Sequence, residues 1–173
     1  YSHFEYKTPK TLFKTEEQTP DWIVGNLGDA VDDELFQKED MAGYFGMVRL
    51  IDDNVGKILR FLEDNRLEEN TIVVFTSDHG DLLGEHSRLN KRMPYEGSAI
   101  SPLIVRYPGK VKPGKLIHSA ISSADFPTTF LSLMDSKRVL ENVHGRDLSS
   151  HFLSEDSEVR SEEATYIRGV MSP

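Results

Sequence analysis

Asp78 and His79 stand side by side where a short apolar run, Ile72, Val73, Val74 and Phe75, gives way to Thr76 and Ser77. Consecutive β-prone apolar residues have the signature of a strand covered on both faces. The carboxylate and the imidazole then fall at its carboxyl end, and Gly80 lets the chain turn away. In open α/β sheets, ligands bind in the crevice beyond those strand ends. A hard carboxylate beside an imidazole is half of a site for a divalent cation. Residues 77–80 also suit a plain polar turn, with Asp78 bonding its own backbone. The downstream residues weigh toward a site, because Glu85, His86, Arg88 and Lys91 crowd into one loop. That is more ionisable groups than a turn requires. His86 is a candidate for chemistry, with a solvated loop histidine as its alternative. Glu85 and Arg88 read first as an exposed ion pair, worth under ~1 kcal/mol. Lys91, with Arg88 and Arg92 near it in sequence, offers a local positive site for an anion.

Elements on either side must hold these groups. Met41, Tyr44, Val48, Ile51, Val55, Ile58, Leu59 and Leu62 recur at three and four residues, which predicts a long helix with one apolar stripe. The stripe is expected to be core. Glu39 and Asp40 suit the positive end of that helix. Gly43, Gly46 and Gly56 cost helix propensity and are expected to mark close approach to a neighbour. Residues 67–70 turn the chain into the strand, so helix, turn and strand suggest half of a βαβ unit. Residues 103–106 are a second strand, closed by Tyr107, Pro108 and Gly109, and 116–121 a short third one. Residues 125–134 read as a helix with Asp125 as cap and Pro127 in its first turn. Residues 155–163 are expected to be a charged solvent loop, and 164–170 the start of a strand.

Composition bounds the rest. The chain has 173 residues, is 38% hydrophobic and 28% charged, and carries a net charge of −9. That length supports one domain with a real core. The negative balance disfavours nucleic acid as a partner. No apolar run approaches the roughly 20 residues of a membrane span. Cysteine is absent, which excludes disulfides and thiolate metal sites. The chain opens on Tyr1 with no signal-peptide pattern, as a processed, truncated or partial chain would.

Thr76, Ser77, Asp78, His79, Gly80 and Asp81, then Leu83, Gly84, Glu85 and His86, then Lys91, Tyr95, Glu96 and residues 102–109 follow the order of motifs in a known family. The sequence resembles the carboxyl-terminal part of a sulfatase, within the alkaline phosphatase superfamily, from about Met41 to Arg146. The resemblance implies an α/β fold, part of an alkaline-phosphatase-like sandwich with helices packed on a mixed, mainly parallel sheet. Residues 1–38 would be an irregular approach segment, with Tyr1, His3, Phe4, Tyr6 and Trp22 packing or contacting substrate. Residues 39–150 would be the carboxyl-terminal part of the α/β domain. Residues 151–173 would be the charged loop and the start of a small carboxyl-terminal sheet.

The resemblance further implies hydrolysis of a sulfate ester on a sugar or other small organic molecule. It makes Asp78 and His79 metal ligands, the second position being Asn in many members and His in others. It gives Lys91 the sulfate; Arg88 as a substrate-binding candidate and His86 as a second catalytic candidate rest on their place in the same loop. The implied metal is calcium; an Asp–His pair suits manganese or zinc equally well. The partner would be the remainder of a sulfatase chain. The family's compartments are periplasmic, extracellular or lysosomal.

One departure matters. Sulfatases use Cys or Ser in Cys/Ser-x-Pro-x-Arg, converted to formylglycine, as the nucleophile, and this sequence contains no such motif. Asp52 and Asp53 fall inside the predicted helix, and Asp32 and Asp33 in an acidic linker, so neither pair matches the family's amino-terminal metal pair. The chain by itself is expected to be inactive. The alternatives are a phosphodiesterase or phosphonate monoester hydrolase of the same superfamily, and a non-catalytic anion-binding domain.

Overall fold

The computed structural model describes residues 41–88, 90–91, 93–136 and 141–162. The expected approach segment, its aromatic residues, Asp32 and Asp33, Arg92, and the strand expected at 164–170 lie outside the described residues. Among those described, 41–65 and 79–101 belong to one compact unit, and 66–78 and 102–162 to another.

In the first unit, helix α1 spans Met41–Asp64, as the three-and-four spacing predicts. Asp52 and Asp53 lie within it. The stripe is only half-buried at Met41, Tyr44, Val55, Leu59 and Leu62, and no residue of the helix is buried. Ile51 and Ile58 of the stripe are exposed, and at 100° per residue Met47, Leu50 and Phe61 widen it on one side, all five being 51–60% exposed. The apolar arc is therefore about half the circumference, wider than the ~100° stripe of an ordinary surface helix. The expectation of a core stripe is corrected accordingly. Gly43 and Gly46 meet nothing within 4 Å among the described residues, and Gly56 meets only the Arg60 side chain. They do not mark a close approach there.

The rest of this unit is a tight loop built on its own backbone. Leu82 N–H donates to Asn90 O at 2.8 Å, and Gly84 N–H to Arg88 O at 2.9 Å. A short 3-10 turn, Glu85–Ser87, caps the excursion. Helix α2, Glu96–Ala99, closes it. Leu82 and Met93 are buried together with Tyr95 packed on them. Gly80 N–H donates to Ser98 O at 2.9 Å. A Cβ on Gly80 would run into the Gly97 carbonyl, so glycine is required for that approach.

In the second unit, β1 (Val73–Thr76) pairs antiparallel with β2 (Leu103–Arg106), with Val74 opposite Val105 and Phe75 opposite Ile104. β2 has the predicted bounds. β1 is half-buried along Val73, Val74 and Phe75, rather than covered on both faces. Its hydrogen-bonded neighbour among the described strands is antiparallel. β3 (Leu116–Ile117) pairs parallel with β4 (Glu158–Val159). So the described pairings are mixed, one of each sense. β3 is shorter than the expected 116–121, and β4 falls inside the stretch expected to be a solvent loop. Leu116 N–H donating to Ser157 O at 2.9 Å and His118 N–H donating to Val159 O at 2.8 Å anchor that stretch.

Helix α3 (Phe126–Leu133) has proline in its first turn. Asp125, however, does not cap it with its side chain. Instead Ser122 and Asp125 form a capping box around the preceding 3-10 turn, Ser123–Asp125. The freed carboxylate oxygens reach Arg146, whose backbone N–H and guanidinium donate at 2.8 and 2.9 Å. Thr128 Oγ1 donates to Arg146 O at 2.7 Å, and Leu148 N–H donates to Thr129 Oγ1 at 3.0 Å. Leu133, Leu148 and Phe152, the last on helix α4 (Ser149–Leu153), are buried in this unit.

Candidate functional site

The end of β1 delivers Ser77 and Asp78 as expected, both exposed, with Ser77 Oγ donating to Asp78 Oδ1 at 3.4 Å. The next residue, His79, begins the loop of the first unit and is half-buried. Its Nδ1 lies 2.7 Å from Gly80 O, and its Nε2 lies 2.5 Å from Lys91 Nζ. Both neighbours select one tautomer. A carbonyl beside Nδ1 requires the proton there, and an ammonium beside Nε2 requires a lone pair there. Metal-binding histidines are commonly oriented this way, by a hydrogen bond from the ring nitrogen that does not bind.

Lys91 reaches His79 because of the backbone ties that close the loop. Leu82 bonded to Asn90 and Gly84 bonded to Arg88 run the chain back beside itself. Residue 91 is thereby returned to the neighbourhood of residue 79. The turn is sharp enough that Leu83, His86 and Asn90 all take positive φ, at 44, 55 and 64°. Asparagine and histidine tolerate that region better than most residues, while leucine does so rarely.

The remaining candidates are placed differently. His86 stacks on Tyr95, with ring centroids 3.7 Å apart and planes 12° from parallel. The sequence offered no sign of this contact beyond the presence of an aromatic residue nine positions on. Arg88 is 7% exposed. The exposed Glu85–Arg88 pair expected from sequence is thus corrected. A buried guanidinium needs partners inside the fold. Glu85 is half-buried, and its Oε2 would collide with any Cβ on Gly97.

The donor set suits a hard or borderline cation in part. Asp78 is exposed, with Oδ1 accepting from Ser77 Oγ, and the Nε2 lone pair of His79 faces the Lys91 ammonium. No group of three or more His, Cys, Asp or Glu gathers into a metal site among the described residues. Asp78 belongs to the second unit and His79 to the first, and each is a candidate ligand by its type.

A sequence profile of the sulfatases matches residues 2–136. The chain belongs to the sulfatase family. An N-acetylglucosamine-6-O-sulfatase of Bacteroides thetaiotaomicron is 42% identical over 91 residues, which is 53% of this chain and 16% of that protein. A protein solved in complex with its substrate D-glucosamine-2-N,6-O-disulfate superposes with a TM-score of 0.62 at 34% identity. It covers 78% of this chain and 28% of its own. A phosphonate monoester hydrolase from Silicibacter pomeroyi superposes at 0.58 with 28% identity, over 66% of this chain and 22% of that one. The sulfatase chain therefore spans under a third of the length of each of these relatives. Its fold is the α/β fold they share, alkaline-phosphatase-like, and it matches a portion of it.

Proposed function

We propose that this chain is the carboxyl-terminal part of the catalytic domain of a sulfatase that hydrolyses sulfate esters of carbohydrates or other small organic molecules. The observation that carries the reading is the convergence of His79 Nε2 and Lys91 Nζ at the end of the loop that follows β1. The two residues that the family pattern gives to metal and to sulfate are brought side by side. The disulfated glucosamine bound by one structural relative, and the N-acetylglucosamine-6-O-sulfatase name of another, favour a sulfated sugar as substrate.

In this reading Asp78 and His79 hold a divalent cation, calcium by family, with His79 nitrogen equally acceptable to manganese or zinc. When bound, such a cation polarises a sulfate oxygen and offsets the charge that develops there. Gly80 O holds the proton on Nδ1 of His79 and so puts the lone pair on Nε2, which faces the Lys91 ammonium; a cation on Nε2 would require Lys91 to turn from it to the sulfate. The Lys91 ammonium pairs with a second sulfate oxygen, and it gains most where negative charge grows in the transition state. The nucleophile and the remaining ligands come from residues outside this sequence, since it has no Cys/Ser-x-Pro-x-Arg.

A phosphonate monoester hydrolase is the second reading, favoured by the structural likeness to the Silicibacter pomeroyi enzyme. One assay separates them. The full-length protein is tested on aryl sulfate and on glucosamine 6-sulfate, against aryl phosphodiester and phosphonate monoester. Preferential sulfate release supports the sulfatase, and preferential phosphonate cleavage the hydrolase. Turnover of neither would leave the anion-binding domain.

A further inference from the structure

We propose that His86 serves this site as a positioning residue: its ring, stacked on Tyr95, braces the loop that carries Lys91 to His79. The proposal rests on reading Lys91 as the cation that binds the sulfate.

The loop has a geometric problem to solve. Leu83, His86 and Asn90 each hold a left-handed backbone, a strained state for a non-glycine residue that persists only where the surroundings enforce it. Three in one loop would relax if nothing opposed them. Opposition comes from two sides. On one side, the backbone bonds from Leu82 to Asn90 and from Gly84 to Arg88 tie the limbs together. On the other, the tip at His86 is held by the face of Tyr95 at 3.7 Å. Tyr95 in turn is packed against the buried pair Leu82 and Met93. It also stands at the amino end of α2, where Ser98 and Ala99 N–H both donate to its carbonyl. The stack thus connects the left-handed tip of the loop to its small core. Lys91 is the first residue after Asn90, whose carbonyl accepts from Leu82, so a loosened tip is transmitted to it directly.

The chemistry of the contact also argues for bracing over proton transfer. Nearly parallel rings present their π faces to one another, so what Tyr95 receives from His86 is a flat surface. A phenylalanine ring supplies the same surface and carries no exchangeable proton. That difference makes the test.

Two measurements decide the matter. In the full-length protein, histidine ring-nitrogen NMR shifts report the environment of His79 Nε2. His86→Ala is expected to move the His79 signals toward those of Lys91→Ala, while His86→Phe leaves them in place. His79 signals unmoved by His86→Ala would overturn the proposal whatever the enzyme does. In the full-length protein, His86→Ala is expected to lower kcat for an aryl sulfate about tenfold or more. His86→Phe should restore it to within about twofold, with a pH–rate profile superimposable on the parent's. Tyr95→Ala should match His86→Ala, and the double variant should be no worse than either, because both remove one stack. If His86→Phe is as inactive as His86→Ala while melting at the parent temperature, His86 carries protons and the brace is wrong. If Lys91→Ala leaves turnover intact, the sulfate-site reading fails instead, and the NMR comparison still judges the brace.

Discussion

Asp125 and Arg146 are joined at both backbone and side chain: the carboxylate accepts from the Arg146 N–H at 2.8 Å and from its guanidinium at 2.9 Å. Asp125 is 3% exposed, and its second role is to accept from Ser122 N–H at 2.9 Å. One side chain therefore fastens the start of α3 to the turn before Leu148. Burial alone would raise this carboxyl, but the hydrogen bonds from Arg146 and from the Ser122 and Arg146 backbones outweigh it and hold it below the ordinary value.

Removing that carboxylate should be costly. Breaking a buried ion pair by deleting one partner typically costs about 3–5 kcal/mol. Asp125→Ala is expected to fall in that range, measured by urea unfolding, and to leave Arg146 N–H without its acceptor. Because the folded carboxyl ionises at lower pH than the unfolded one, its contribution is complete above the unfolded value of about 3.9 and is lost as pH falls through the lower folded value. Asp147, also lowered by bonds from Ser132 and Ser149 against the opposing effect of burial, acts in the same window. Stability should therefore decline below about pH 4, and less steeply in Asp125→Asn. An acid limb of equal slope in both proteins would contradict this.

Two glycine substitutions should have opposite signs. Gly145→Ala places a Cβ into the Ala124 carbonyl and close to Asp125 Cα, so the loop must shift, at about 1–3 kcal/mol. Gly43→Ala lies inside α1, where its Cβ meets nothing within 4 Å among the described residues, and helix propensity should raise stability by about 0.5–1 kcal/mol. Thermal melting of the two variants beside the parent checks both.

In the full-length protein, Lys91→Ala should damage chemistry more than folding. Lys91 is exposed, so its removal opens no cavity. Loss of a preorganised charge at a developing anion is worth about 2.7–4 kcal/mol, so turnover should drop about a hundredfold or more, with little change in melting temperature. Arg92→Ala, the neighbour in sequence, is the control and should do much less. The reverse pattern would mean the family alignment is displaced by one residue.

The 173-residue chain alone should neither hydrolyse aryl sulfates nor bind calcium tightly. A tight calcium site takes six to eight oxygen ligands, whereas this reading gives the chain Asp78 and His79. Calorimetric titration should show only weak binding. A micromolar site abolished by Asp78→Ala would mean that further ligands lie within this sequence.

Much of this could be read from residue order, and the misses have physical causes. Helical spacing located α1, and β-branched runs located β1 and β2, because local periodicity survives whatever the element packs against. Their burial was not legible, since it depends on what surrounds them. Antiparallel pairing of β1 with β2 was missed because strand sense is set by nonlocal contacts. Asp125 looked like a helix cap; its partner 21 residues on, Arg146, left no local trace. In the candidate site, Asp78, His79 and Lys91 were picked out by type and family pattern. Arg88 was misjudged as exposed because a charged loop residue usually is. The stack of His86 on Tyr95 needed three-dimensional placement, since their spacing fits neither a helix nor a strand.

The backbone ties in the Lys91 loop span only four to eight residues, from Gly84 to Arg88 and from Leu82 to Asn90. By contrast, β3 and β4 bring together Leu116 and Glu158. Closing about ten residues takes roughly 10–100 ns, and long separations delay pairing far more. The segment that would grip the anion can thus sample its final shape early in folding, before the distant strands have met.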